Sequence, residues 1–137
     1  IPAAAEEAEI VEGAREASKQ FAECAGFWDV MSDVEQASAN RASAQYMHNL
    51  ANGATTAALY WYAVSAQAGG DERERPYAHW EPMVRPHRES AALRIWSFNE
   101  KGMLDEITRH GELCRDILPM QEDALNEIRK QLVDAQR

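Results

Sequence analysis

The chain has 137 residues, 45% hydrophobic and 27% charged, and its 14 Lys and Arg against 23 Asp and Glu leave a net charge of −9. That hydrophobic content excludes a disordered tail and suffices for one helical domain, residues 1–137, with a buried core. The acidity excludes nucleic acid as a partner, because phosphate binding needs a basic face, and the two cysteines exclude a disulfide-dense mini-protein.

Alanine occurs 24 times, nineteen of them before residue 70, while Ile, Val and Thr together number fifteen. Alanine favours helix, and β-branched residues favour strand. The chain therefore reads as all-α, a four- or five-helix bundle with an irregular Pro/Arg/aromatic connection after the second helix. The first helix is expected from Ala4 to Met31. Ile10, Ala14, Ala17, Phe21, Cys24, Trp28 and Met31 alternate in steps of four and three, one continuous apolar seam. Gly26 lies off that seam and admits a close neighbour. Residues 1–40 carry nine carboxylates and two cations, so most of the excess charge sits on this helix.

Ser32-Asp33-Val34-Glu35 reads as a capping box that ends the first helix and starts the second. The second helix is then expected over 33–68, with Tyr46, Leu50, Gly53, Ala57, Tyr60 or Trp61, Val64 and Ala68 on one stripe. Gly53, Ala54, Ala57 and Ala58 make a small-residue patch for another backbone, and Gly69-Gly70 stops the helix. Residues 69–90 hold Pro76, Pro82 and Pro86 and read as an irregular insert. A third helix is expected to start near Pro86, with Ala92, Ile95, Trp96 and Phe98. Gly102 breaks it or ends it, so 87–118 is one kinked helix or two. A further helix from Met103 to Leu118 turns Leu104, Ile107, Cys114 and Ile117 inward. Pro119 opens a last helix to about residue 135, carrying Met120, Leu125, Ile128 and Leu132.

The longest apolar run, Gly53 to Gly70, is interrupted by Thr55, Thr56, Ser65 and Gln67, too polar to cross a bilayer. The start Ile-Pro-Ala-Ala-Ala reads as the product of trimming, consistent with a removed export signal, so a periplasmic or secreted location is expected. An oxidising compartment favours a disulfide between Cys24 and Cys114. The absence of Cys-x-x-Cys argues against a thioredoxin-type centre and against haem attachment. His48, His79, His87 and His110 form no Glu-x-x-His or His-Glu-x-x-His pattern. The nearest metal-like spacings are Glu106/His110 and His110/Cys114, each one helical turn apart, and an oxidised Cys114 cannot ligate. No metal site, resident cofactor or catalytic set is expected.

The aromatic residues are the most informative. Tyr60-Trp61-Tyr62 are consecutive on a helix, so they fan around it and cannot all face one core. With Tyr77, Trp80, Trp96 and Phe98, seven of the eleven aromatics lie between residues 60 and 98. Arg73, Arg75, Arg85, Arg88 and Arg94 surround them, with five acids over 71–94 to pair with. Tyr60, Trp61, Tyr62, Tyr77, His79, Trp80, Arg85, His87, Arg88 and Trp96 are the candidate ligand or partner region, suited to a protein partner or a small apolar or anionic ligand. Leu118-Pro119-Met120-Gln121, opening a charged amphipathic helix, resembles the Leu-Thr-x-x-Gln element of small periplasmic helical stress chaperones and metal sensors, with Pro119 in place of the Thr. The resemblance covers four residues and implies an exported chaperone-like or sensor bundle. The reading expected from the residues themselves is a small exported, non-enzymatic binding module. Its rival is an enzyme or a cofactor- or metal-binding bundle with a site in the same aromatic region.

Overall fold

A computed structural model describes residues 2–136, with side chains from Ala4 onward. It contains five α-helices and no strand among the described residues: α1 Pro2–Ala37, α2 Arg41–Ala68, α3 Glu81–Glu100, α4 Leu104–Asp116 and α5 Leu118–Ala135. A 3-10 turn over Tyr77–Trp80 leads into α3. Region 87–118 is thus two helices, separated at Gly102.

α1 is the central element. α2 runs back antiparallel along it, α3 crosses it, and α4 packs on its middle. The antiparallel register shows in two bonds: Ser18 Oγ donates to the Ala58 carbonyl at 2.7 Å and Ser32 Oγ to the Ala44 carbonyl at 2.8 Å. The facing surfaces are small. Ala14, Ser18, Ala22 and Ala25 are buried on α1, and Ala44, Ala51, Ala54, Ala57 and Ala58 on α2. Small side chains let two helix axes approach closely, and the alanine richness of the first half serves that packing. Larger side chains, Phe21, Phe27, Trp28, Val30, Val84 and Ile95, complete one continuous core with most of these alanines.

Gly26 is where α3 comes nearest. A Cβ there would stand 2.3 Å from the Arg88 carbonyl oxygen and 2.8 Å from the Ala92 amide nitrogen. Beside it, Arg88 binds both oxygens of Asp29 at 2.6 Å and donates to Thr55 Oγ1 at 2.7 Å. One guanidinium therefore joins α3 to α1 and α2. Close to this crossing, Cys24 and Cys114 form a disulfide with Cα atoms 5.5 Å apart, tying α4 to α1.

Several expected boundaries move. α1 does not stop at Met31, and Ser32 caps nothing: its hydroxyl reaches across to α2. The helix ends six residues later, where Ala39 adopts φ 59° and the amides of Ala39 and Asn40 bond the carbonyls of Gln36 and Glu35. Asn40 then caps α2 through Ser43 N. The irregular connection covers only 69–76. α3 begins at Glu81 with Pro82 in its first turn and carries Pro86 in its interior, so helix replaces the expected irregular structure over 81–90. Val84, buried in that early turn, anchors it to the core.

Some residues expected inside are outside. Ile10, 53% exposed, lies on α1 where α2 has run out, since Gly69 already packs on Val11. Tyr46 is exposed because the buried line of α2 passes through Ala44 and Ala51 instead. On α5 the inward line runs through Gln121 and Ala124, which leaves Met120 and Leu132 exposed. Leu104, the first residue of α4, is exposed too.

Candidate functional site

Side chains one residue apart on a helix point about 100° apart, so Tyr60, Trp61 and Tyr62 leave α2 in three directions. Tyr62 turns toward α1 and the 3-10 turn. Its ring lies 5.2 Å from Trp80, and the Arg15 guanidinium sits 5.5 Å from its centre. Tyr60 meets Trp61 edge-on at 5.3 Å and Tyr77 at 6.3 Å. The Tyr77 hydroxyl donates to Gln131 Oε1 on α5, so this tyrosine links the 3-10 turn to the last helix. Trp61 lies against α5 near Met120 and Ala124. His79 packs edge-on against Trp80 at 4.7 Å.

Each of the three consecutive rings lines an open cleft. Tyr62, with Met83, His87, Val11 and Arg15, borders one of about 670 Å³ between α1 and α3. Tyr60 and Tyr77 border one of about 500 Å³ beneath the 69–76 connection. Tyr60 and Trp61 border a third of about 300 Å³ against α5. Burial, aided by the nearby Glu127 carboxylate, raises the Tyr60 pKa above the ordinary tyrosine value. Burial does the same to Tyr77, outweighing the Gln131 hydrogen bond that lowers it.

The arginines are paired internally, but only Arg73, Arg75 and Arg85 pair with acids of 71–94, while Arg88 and Arg94 reach carboxylates on α1. Arg75 and Arg73 hold Asp71 at 2.8 and 3.9 Å. The Arg75 hydrogen bond, helped by the Arg73 amide, lowers the Asp71 pKa. Arg85 pairs with Glu81 one turn before it, Arg88 with Asp29, and Arg94 with Glu23 at 3.4 Å. Arg75 also lies 5.9 Å from the centre of the Trp80 ring.

Of the ten candidate residues, the structure brings together Tyr60, Trp61, Tyr62, Tyr77, His79 and Trp80. His87 joins them at the edge of the first cleft. Arg88 belongs to the three-helix junction, Trp96 packs half-buried against the core, and Arg85 points to solvent with its own glutamate. Arg15, Met83, Glu127 and Gln131 were not legible as neighbours of this cluster, because they come from three other helices. One signal was present. Asp123 and Glu127 are one turn apart and so lie on one face of α5.

The metal-like spacings on α4 resolve into other contacts. Glu106 pairs with Arg109 at 2.8 Å, His110 Nδ1 donates to the Glu106 carbonyl at 2.7 Å, and Cys114 is in the disulfide. Among the described residues no three His, Cys, Asp or Glu converge as a metal-ion set, and no helix is long and apolar enough to cross a membrane. Gln121, in the four-residue resemblance, is buried and donates from Nε2 to the Leu50 carbonyl at 3.3 Å, which is a packing role. Comparison with protein-family models, curated proteins and solved structures finds no match to this chain.

Proposed function

We propose that the protein is a small exported, non-enzymatic binding module whose ligand surface is the aromatic face of α2 and the 77–80 turn. The observation that carries this reading is the fate of Tyr60, Trp61 and Tyr62. All three stay half-buried: each packs against the core on one side and lines an open cleft on the other. Aromatic walls with a few polar groups at the rim are the usual lining of a ligand site. The internal pairing of Arg73, Arg75, Arg85, Arg88 and Arg94 turns the preference away from an anionic ligand and toward an apolar or cationic one. Export is supported by the Cys24–Cys114 disulfide, a bond that persists in oxidising compartments.

Thermal shift and tryptophan fluorescence against a panel of fatty acids, aromatic acids, amines and short peptides test the reading. A saturable response that is weakened by Tyr60→Leu or Tyr62→Leu is expected. A panel with no response in either measurement overturns it.

A further inference from the structure

The two sides of the aromatic cluster differ in charge. Two rings receive cations from the protein itself: Arg15, on α1, lies over Tyr62, and Arg75, from the 69–76 connection, lies over Trp80. On the α5 side, among the described residues, no guanidinium or ammonium is placed over Tyr60, Trp61 or Tyr77. Carboxylates are there instead. Asp123 and Glu127 line the smaller cleft with Tyr60 and Trp61, and Glu74 lines the larger one with Tyr60 and Tyr77. None of these three acids forms an ion pair among the described residues. Among the described residues, Arg75 is the one basic side chain lining either cleft, and Asp71 already holds it at 2.8 Å.

An aromatic ring presents a negative face, and a carboxylate beside it adds a full counter-charge. Together they suit a cation that also has hydrocarbon to bury. A bare divalent ion wants a shell of oxygens, which two tyrosines and a tryptophan do not provide. We propose that the two clefts meeting at Tyr60 bind an organic ammonium ion, its alkyl groups against Tyr60, Trp61 and Tyr77 and its charge balanced by Glu127 and Asp123. The field of Glu127 already reaches both tyrosines, since it is among the causes that raise their pKa values. This inference rests on the binding-module reading and narrows it to a ligand class.

The test uses the oxidised full chain and two probes of one shape, choline and 3,3-dimethylbutan-1-ol, in which carbon replaces the charged nitrogen. Binding is followed by the indole N–H signal of Trp61 in nuclear magnetic resonance spectra. Choline is expected to move that signal saturably and to bind roughly tenfold more tightly than the alcohol. Glu127→Gln, a half-buried helix-surface change, should remove most of that preference, and Asp123→Asn part of it. Tyr46→Phe, an exposed ring on α2 that lines none of the clefts, should leave it unchanged. Equal binding of the two probes overturns the ammonium assignment and leaves an apolar site standing. Choline that never moves Trp61, or that binds Glu127→Gln as well as the parent, also overturns it. Failure of the whole ligand panel described above removes the binding-module reading as well.

Discussion

Gly26 sits where α3 crosses α1, and its missing side chain is what allows the crossing. The atoms a Cβ would strike at 2.3 and 2.8 Å are backbone, so neither can swing aside. Gly26→Ala should therefore cost about 2–3 kcal/mol, the upper range of overpacking, and lower Tm by about 10 °C in calorimetry. Gly13→Ala is the matched control. Nothing lies within 4 Å of a Cβ there, so the better helix former should leave Tm equal or slightly raised. Tyr60 and Tyr77 make a second residue-scale prediction. Their pKa values are raised on folding, so each favours the native state below the normal tyrosine pKa of about 10 and loses that contribution as pH climbs through the higher native value. Tyrosinate absorbance should show a late-titrating component above pH ~10 that unfolding moves to lower pH and that Tyr60→Phe with Tyr77→Phe abolishes. Titration of all tyrosines together near the normal value would refute the burial that defines these clefts.

At the scale of elements, three helices stop by one device. α1, α2 and α3 end with paired bonds in which the amide of one residue reaches back three positions and the next amide reaches back five: Ala39 and Asn40, Gly70 and Asp71, Gly102 and Met103. Each first residue has positive φ, 59°, 103° and 69° in turn. Glycine adopts that conformation freely, and alanine does not. The two glycine stops were therefore readable from the sequence. The stop at Ala39 was not, and Ser32-x-x-Glu35 drew the boundary too early because a capping pattern also fits a serine that bonds sideways to α2. Pro86 misled in the same way. A proline usually marks a helix start, but burial of Val84 extends α3 back to Glu81 despite the lost bond. Ala39→Gly should relieve the backbone penalty and raise stability by about 1 kcal/mol, a Tm gain of about 4 °C. An unchanged or lower Tm would argue against the left-handed stop at this position.

For the whole molecule, the helical class and the disulfide were legible, one from alanine content and period, the other from two cysteines on inward faces. The candidate site was legible only on its α2 side. The rings announce themselves as a run, but Arg15 and Glu127 approach them from helices far along the chain, and no local pattern encodes that meeting. The disulfide matters most at this scale, because α4 buries only Gly111 and Cys114 along its length. Closing a loop between residues 90 apart stabilises a fold by roughly 4 kcal/mol in the chain-entropy account, so Cys24→Ala with Cys114→Ala, or reduction, should lower the urea midpoint correspondingly. An unchanged midpoint would mean that the bond adds little to the packing. The same bond also has a topological consequence. It closes a covalent ring that runs through α2, the 69–76 connection and α3. Arg73 sits in that connection with its side chain 79% exposed, whereas Arg75 is followed by Pro76. Trypsin should thus nick the chain once there, after Arg73, and the two pieces should still migrate as one species until a reductant separates residues 1–73 from 74–137. A chain cut in its longest connection would remain a single molecule.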